Sequence, residues 1–267
     1  MILKRRAALD GVQLDSIDSR ILIQKIEPAA GKETIDAASI WDGSGSRVTG
    51  IHRDSLDIVV SFSINEKSYR PQARAEVLEK VNTWAAAGGW LTVNYKPGRK
   101  IRVIAAQLPG EGDMMQRNQY SITFRAFGVP YWQEAYPVAL AVDGTASGGD
   151  YSSAEGTYTV GGNQRTVADV SFRNTGSGTI NALTIWAGDS TLIFTGLGLA
   201  AGETLIIDHP DDGKRSLMRC RIGNRSALGN RTAGSANDLW VDPGERLVGY
   251  TADGDGSLDI TILGRFG

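Results

Sequence analysis

Side chains suited to acid–base or metal chemistry are few and widely separated in this sequence. The chain of 267 residues contains two histidines, His52 and His209, which lie in different halves. Metal sites and histidine-based triads bring several such side chains together, and neither arrangement is indicated here. Carboxylates are plentiful, but no pair is singled out by its position. We therefore expect no metal, no other cofactor and no catalytic activity.

The single cysteine, Cys220, is the strongest candidate for a nucleophile. It lies between two arginines in the alternating stretch Met218-Arg219-Cys220-Arg221-Ile222. The alternation is typical of a strand with one buried face, so a buried structural thiol is favoured. If the thiol were exposed, the neighbouring arginines would lower its pKa, and an enzyme that uses Cys220 is the alternative. One cysteine excludes an internal disulfide framework.

Two Asp-Gly clusters resemble fragments of calcium-binding loops. They are Asp211-Asp212-Gly213 and Asp253-Gly254-Asp255-Gly256. Each lacks the further oxygen ligands of a complete calcium loop, so we predict that both are turns.

The charge of the chain argues against a nucleic acid or an acidic membrane as partner. The net charge is −2. Residues 1–135 carry 18 Lys/Arg and 15 Asp/Glu (+3), and residues 136–267 carry 10 and 15 (−5). The start of the chain does not resemble a signal peptide, and no apolar run approaches the ~20 residues needed to cross a bilayer. We expect no membrane insertion.

The stretch from Tyr69 to Trp132 predicts one helix followed by three strands. The helix has apolar residues at Ala73, Val77, Leu78, Val81, Trp84 and Ala85, which form one face and leave Arg74 and the other charged residues outside. Period-two alternation predicts strands at 56–64, 91–95, 101–105 and 120–126, as well as at 20–26. Because each element can bury only one side, the sequence predicts an antiparallel β-sandwich or split-barrel-like domain with one packed helix.

Two polar segments interrupt this domain. Residues 28–55 are predicted to form a long loop around Gly43-Ser44-Gly45-Ser46, and residues 109–118 are predicted to form the tip of a protruding hairpin. Loop residues with charge or backbone freedom are our candidates for contacts between subunits: Gly43, Arg47, His52, Arg53, Gly110 and Asp113.

A second domain is predicted for residues 136–267. Short β runs recur there with turn signals every 8–12 residues and without helical periodicity. This pattern is typical of a galectin-like, jelly-roll type β-sandwich. The fold class is therefore mainly β, with domains at 1–135 and 136–267.

Trp186 and Trp240 give the second domain a possible binding function. An exposed indole can stack on a sugar ring, whereas a buried one removes a large apolar area from water. Core packing is the favoured interpretation for each. Carbohydrate binding through these two residues is the alternative function.

The order of elements in the first domain resembles the distal tail protein family of phages with long non-contractile tails. The resemblance includes Leu9–Val12, Ser19–Ile23, Arg53–Phe62, the helix Ala75–Trp84 and the ending Phe124–Tyr131. It covers about half of the chain. The second domain is similar in architecture to the galectin-like sandwich that many members carry.

The resemblance implies a structural protein of the virion, assembled in the bacterial cytoplasm and located at the distal end of the tail. It implies a homo-hexameric ring made by the first domains, which connects the tail tube to the host-adsorption apparatus. The implied partners are the tail tube protein, the tape measure protein and the tail-associated or receptor-binding proteins. DNA would pass through the channel without specific binding. Contact with host surface glycans is the alternative role of the second domain.

Overall fold

The computed structural model describes residues 5–28, 33–39, 46–53, 55–65, 71–110, 119–144, 151–209 and 218–267. The chain divides into two compact units, Met1–Trp132 and Gln133–Gly267. No helix in the described parts of the chain is long and apolar enough to cross a membrane.

The first unit is an antiparallel sheet with one long helix. Its elements are β1 (Ala7–Leu9), β2 (Val12–Gln13), α1 (Leu14–Ile17), β3 (Ile21–Pro28), β4 (Glu33–Ser39), β5 (Ser46–Arg53), β6 (Leu56–Ile64), α2 (Pro71–Ala86), β7 (Gly89–Val93), β8 (Arg99–Gln107) and β9 (Gln119–Ala126). Seven strands lie in the order β2-β1-β7-β8-β9-β6-β3. Strands β4 and β5 form a separate pair.

Buried and exposed residues alternate along the strands of this sheet, as the sequence predicts. Every second residue of β6, from Leu56 to Ile64, is buried. The same holds for β9, and the ring of Phe124 there meets Trp84 of α2 edge to face at 5.9 Å between centroids. The helix therefore covers the apolar side of the sheet. A mainly β fold with one packed helix is confirmed, but the strand path described here is open and does not close into a barrel.

One position on α2 differs from the prediction. Arg74 was expected outside, but it is buried, with 6% of its surface exposed. It lies one turn before Leu78, and Val81 and Ala85 continue the same buried row. The long aliphatic stem of arginine packs like an apolar side chain, which lets it extend the helix face.

The predicted loop at 28–55 is wrong, because most of its described residues form the hairpin β4–β5. The register runs from Glu33 opposite Arg53 to Ser39 opposite Ser46, with a bulge after Asp36. The segment between the strands, including Gly43, lies outside the described residues. The sequence did not predict β4 and β5 because several side chains on both faces of this hairpin are exposed. Without a buried face, apolar and polar residues do not alternate along the strands.

The second unit is a β-sandwich. Its elements are β11 (Leu140–Gly144), β12 (Ser152–Val160), β13 (Thr166–Asn174), β14 (Leu183–Ala187), β15 (Ser190–Phe194), β16 (Thr204–Asp208), β17 (Arg219–Ile222), β18 (Arg225–Ser226), β19 (Trp240–Val241), β20 (Gly244–Ala252), β21 (Gly256–Ile262) and β22 (Arg265–Phe266); β10 (Trp132–Glu134) crosses the boundary between the units. One sheet has the order β11-β21-β13-β16-β17-β18, with β19 paired to β13, and the other has the order β12-β20-β14-β15.

The inner faces of the two sheets share one apolar core, in which the rings of Phe172 and Tyr250 pack edge to face at 4.8 Å. The sandwich expected from the sequence is thus present. Strand β11 (Leu140–Gly144) was not predicted, because its residues run directly into a glycine-rich stretch. The turn expected at Asp253–Gly256 joins β20 to β21, whereas residues 211–213 lie outside the described residues.

Candidate functional site

The described residues contain no cluster of three or more His, Cys, Asp or Glu side chains that could hold a metal ion. Cys220 lies on the buried face of β17, with 2% of its surface exposed. Burial raises the pKa of its thiol to about 11, against a smaller opposing effect of Arg231. The thiol is therefore protonated at neutral pH, which is the state of a structural cysteine rather than a nucleophile.

His209 is held between two carboxylates that the sequence did not connect with it. Its Nδ1 lies 2.7 Å from Oδ1 of Asp169 on β13, and its Nε2 lies 2.6 Å from Oδ1 of Asp238. The backbone N–H of His209 also donates to Asp169. Both ring nitrogens face acceptors, an arrangement that only the protonated imidazolium satisfies fully.

The surroundings of His209 raise its pKa to about 9. Burial opposes the charge, since only 4% of the side chain is exposed, but the hydrogen bonds and charges of the two aspartates outweigh it. Within the described residues, the hydrogen bonds of the ring are to the carboxylates of Asp169 and Asp238. The cluster is thus an ion-paired support that joins the end of β16 to β13 and to the segment before β19.

Trp186 lies on the outer face of the sheet β12-β20-β14-β15, contrary to the core position favoured from the sequence. Its neighbours Ile185 and Ala187 are buried, so the indole points away from the core. A Cβ at Gly249, directly across on β20, would lie 2.7 Å from Cζ2 of the indole. Gly249 is buried although it is on the outer side. The indole therefore covers the glycine and remains partly exposed itself.

Trp240 is also at the surface, with 37% of its area exposed. The guanidinium of Arg165 lies 5.7 Å from the centre of its ring, and this cation–π contact occupies part of the indole. The backbone carbonyl of Trp240 accepts a hydrogen bond from Ser190. Trp240 lies in β19, which pairs with β13. It therefore belongs to the other sheet and not to the outer face where Trp186 lies.

The outer face around Trp186 is rich in hydroxyl groups. Strand register places Glu155, Gly249, Trp186 and Thr191 in one row, and Ser153, Thr251, Thr184 and Ile193 in the next. On the other side of the Trp186 row, Thr157 lies opposite Leu247, which is 52% exposed.

A groove of about 350 Å³ lies beside β12 in the same unit. Its walls are Glu134, Tyr136, Val138, Ala139, Leu140, Thr157, Tyr158 and Thr159. Tyr136 and Val138 are 85% and 78% exposed. The hydroxyl of Tyr158 donates to the backbone carbonyl of Val138 at 2.7 Å, which ties the two walls together.

The predicted contact residues of the first unit are dispersed. Arg47 is exposed on β5, and the backbones of His52 and Arg53 belong to the same strand. Gly110 is exposed after β8, whereas Gly43 and Asp113 lie outside the described residues. Two apolar side chains that the sequence did not single out, Ile35 on β4 and Val48 on β5, are 60% and 54% exposed.

No protein-family profile matches the chain, and no curated protein does. Among solved structures, the chain is similar to the Dit protein of phage SPP1, whose structure is described as a paradigm of the hub adsorption apparatus in phages that infect Gram-positive bacteria. The identity is 13%, the TM-score is 0.66, and the match covers 98% of this chain and 99% of that chain. A chain of the activated phage P2 baseplate matches at 9% identity with a TM-score of 0.44, covering 99% of this chain and 98% of that one. The similarity in fold to the SPP1 Dit protein therefore extends over nearly the whole of this chain, whereas the resemblance in the sequence covered about half of it.

Proposed function

We propose that this protein is a structural component of a phage tail tip, with the role of a hub between the tail tube and the host-adsorption apparatus. The observation that carries the proposal is the match to the SPP1 Dit fold across both units. The burial of Cys220 on β17 suits a structural thiol rather than a nucleophile.

The proposed assembly is a homo-hexameric ring at the distal end of the tail, built by the first units. The ring would contact the tail tube protein, the tape measure protein and tail-associated or receptor-binding proteins. Its channel would let DNA pass without specific binding, which suits a first half with a charge of only +3, because few phosphates would be neutralised.

The hairpin β4–β5 is the proposed arm between neighbouring copies. It pairs with no other strand of the described chain. A two-stranded hairpin on its own is marginally stable in water. Ile35 and Ala37 lie on one face of β4, and the partner of Ala37 is the exposed Val48. A second copy of the chain would cover this apolar face and stabilise the hairpin.

The solution mass of the purified protein tests the assembly. Six chains of 28.6 kDa give 6 × 28.6, or about 172 kDa, and light scattering on a sizing column should detect this species. The double variant Ile35→Asp and Val48→Asp should dissociate it, because both charges would enter the contact. The control Leu228→Asp changes an apolar residue of 43% exposure in the second unit and should leave the mass unchanged. A dimer without a ring in negative stain would contradict the hexamer.

Glycan binding by the second unit is a second candidate function. The favouring observation is the position of Trp186, whose indole is partly exposed on a hydroxyl-rich face instead of packed in the core. Host cell-wall glycan should bind the wild-type protein in a pull-down. This binding should be lost in the Trp186→Ala variant. Trp240→Ala should have little effect, because Arg165 already occupies that ring. Equal binding by wild type and Trp186→Ala would rule out this surface.

A further inference from the structure

The surface that starts at Trp186 continues across the sheet towards the groove beside β12. Trp186 lies opposite Gly249 on β20, and Gly249 lies opposite Glu155 on β12. The adjacent row on the same face contains Leu247 and Thr157. Thr157 belongs both to this face and to the wall of the groove. The platform and the groove are therefore parts of one surface within the second unit.

We propose that this surface is a single elongated site for a neutral oligosaccharide of N-acetylated hexosamines, which extends from Trp186 to Tyr136. The inference rests on the glycan-binding function proposed above and specifies its ligand. Three properties of the surface support it: its aromatic ends, its charge and its length.

Aromatic rings stand at both ends of the surface. At one end, Trp186 is held in place by Gly249, since any Cβ there would meet the indole. At the other end, Tyr136 is 85% exposed beside the groove. The apolar face of a pyranose ring packs against such rings, while its hydroxyl groups remain available for hydrogen bonds.

The groove suits an acetamido group. Its lining includes the apolar residues Val138 and Leu140, which suit the methyl, and Thr157 and Thr159, which carry hydroxyl groups. Its volume of about 350 Å³ falls at the lower end of the range for small-ligand sites.

The charge of the surface favours a neutral ligand. Glu155 lies in the row of Trp186, Glu245 lies opposite Thr159, and Glu134 lines the groove. Among the described residues, the rows of Trp186 and Thr157 and the groove lining contain no lysine or arginine. Arg246, opposite the groove residue Tyr158, donates instead to the backbone carbonyls of Asp242 and Pro243. The carboxylates accept hydrogen bonds from hydroxyl and amide groups and would repel anionic sugars.

The length of the surface calls for more than one sugar. The groove lies one strand beyond Gly249 and at least one row along from it. With strands ~4.8 Å apart and rows on one face ~6.8 Å apart (two residues of ~3.4 Å), Thr157 of the groove is about 12 Å from Trp186, which lies two strands away. A single pyranose ring cannot contact both Trp186 and the groove.

Calorimetric titration of the full-length protein with N-acetylglucosamine and with its β-1,4-linked trimer tests the proposal. The trimer should bind about tenfold more tightly than the monomer, since the second aromatic contact adds to the first. Tyr136→Ala should remove this advantage and leave monomer binding unchanged. Because Tyr136 is 85% exposed, its replacement should not alter the melting temperature. Trigalacturonate, an anionic chain of equal length, should not bind.

The outcomes separate this inference from the function on which it rests. If Trp186→Ala abolishes glycan binding but monomer and trimer bind equally, the elongated site is wrong and the glycan-binding function stands. The same holds if Tyr136→Ala binds the trimer as wild type does. If host cell-wall glycan binds through Trp186 but the trimer does not bind at millimolar concentration, the ligand class is wrong. If neither binds, both proposals fail.

Discussion

At the scale of single residues, His209 of the second unit has a carboxylate at each of its two ring nitrogens. Its imidazolium is shared between Asp169 and Asp238, which come from different segments of the sandwich. The partners are 40 and 29 residues away in sequence, so neither could be predicted from local spacing. The pair of contacts becomes visible only once β13 and β16 lie side by side.

The raised pKa of His209 predicts a pH-dependent stability. The folded-state pKa is about 9 and the ordinary value is 6.5, so the folded protein binds the proton more tightly. The stabilisation is complete below pH 6.5 and is lost as the pH rises from 6.5 through about 9. Its size is at most about 3 to 4 kcal/mol, because the shift of about 2.5 pKa units corresponds to about 1.4 kcal/mol per unit.

Chemical denaturation of wild type and His209→Gln at several pH values would measure this effect. The wild type should lose stability between pH 6.5 and 9, whereas the variant should be less stable at pH 6 and nearly independent of pH in this window. Comparing the two proteins removes the contribution of other titrating groups. Parallel curves for the two proteins would show that His209 is not charged in the fold.

At the scale of elements, the link between α2 and β7 depends on the backbone at Gly88 and Gly89. Gly88 has a φ of +62°, and this left-handed residue ends the helix. Gly89 has a φ of +139°, and the carboxylate of Asp10 lies over it. The same carboxylate accepts the N–H of Trp90 at 2.8 Å. The turn between β1 and β2 is thereby attached to the first residues of β7.

Gly89→Ala should therefore destabilise the first unit. A Cβ would lie 2.1 Å from Oδ2 of Asp10, so the carboxylate must move away and its hydrogen bond is lost. Together with the strain of a positive φ, we expect a loss of about 2 kcal/mol. Gly98→Ala is the control for a positive φ without a close contact, because Gly98 has a φ of +70° and nothing within 4 Å of its Cβ position. It should lose about 1 kcal/mol. Equal losses in urea denaturation would show that Asp10 does not constrain this site.

The elements that the sequence predicted share one physical property, which is a sharp difference in burial between their two faces. Strand β6 alternates without interruption, and its prediction was accurate. The hairpin β4–β5 has exposed apolar and polar side chains alike, so no period marks it. Trp186 was misplaced for a related reason: a large apolar residue was assigned to the core, but Gly249 gives it a site on the outer face.

At the scale of the whole molecule, the chain has two compact units, each with its own buried apolar residues. Domains with separate cores can unfold as separate cooperative units. Differential scanning calorimetry should therefore show two transitions. The variants His209→Gln and Gly89→Ala show which transition belongs to which unit. His209 lies in Gln133–Gly267, and Gly89 lies in Met1–Trp132.

We expect His209→Gln to lower the melting temperature of one transition at pH 6 and Gly89→Ala to lower that of the other. For units of this size, a loss of 1 kcal/mol corresponds to a shift of roughly 2–6 °C, which calorimetry resolves. The double variant should show both shifts at their single-variant values, since distant sites are additive. A single transition that moves with either change would contradict independent units. It would mean that the two cores unfold together and that the Dit-like fold acts as one cooperative body.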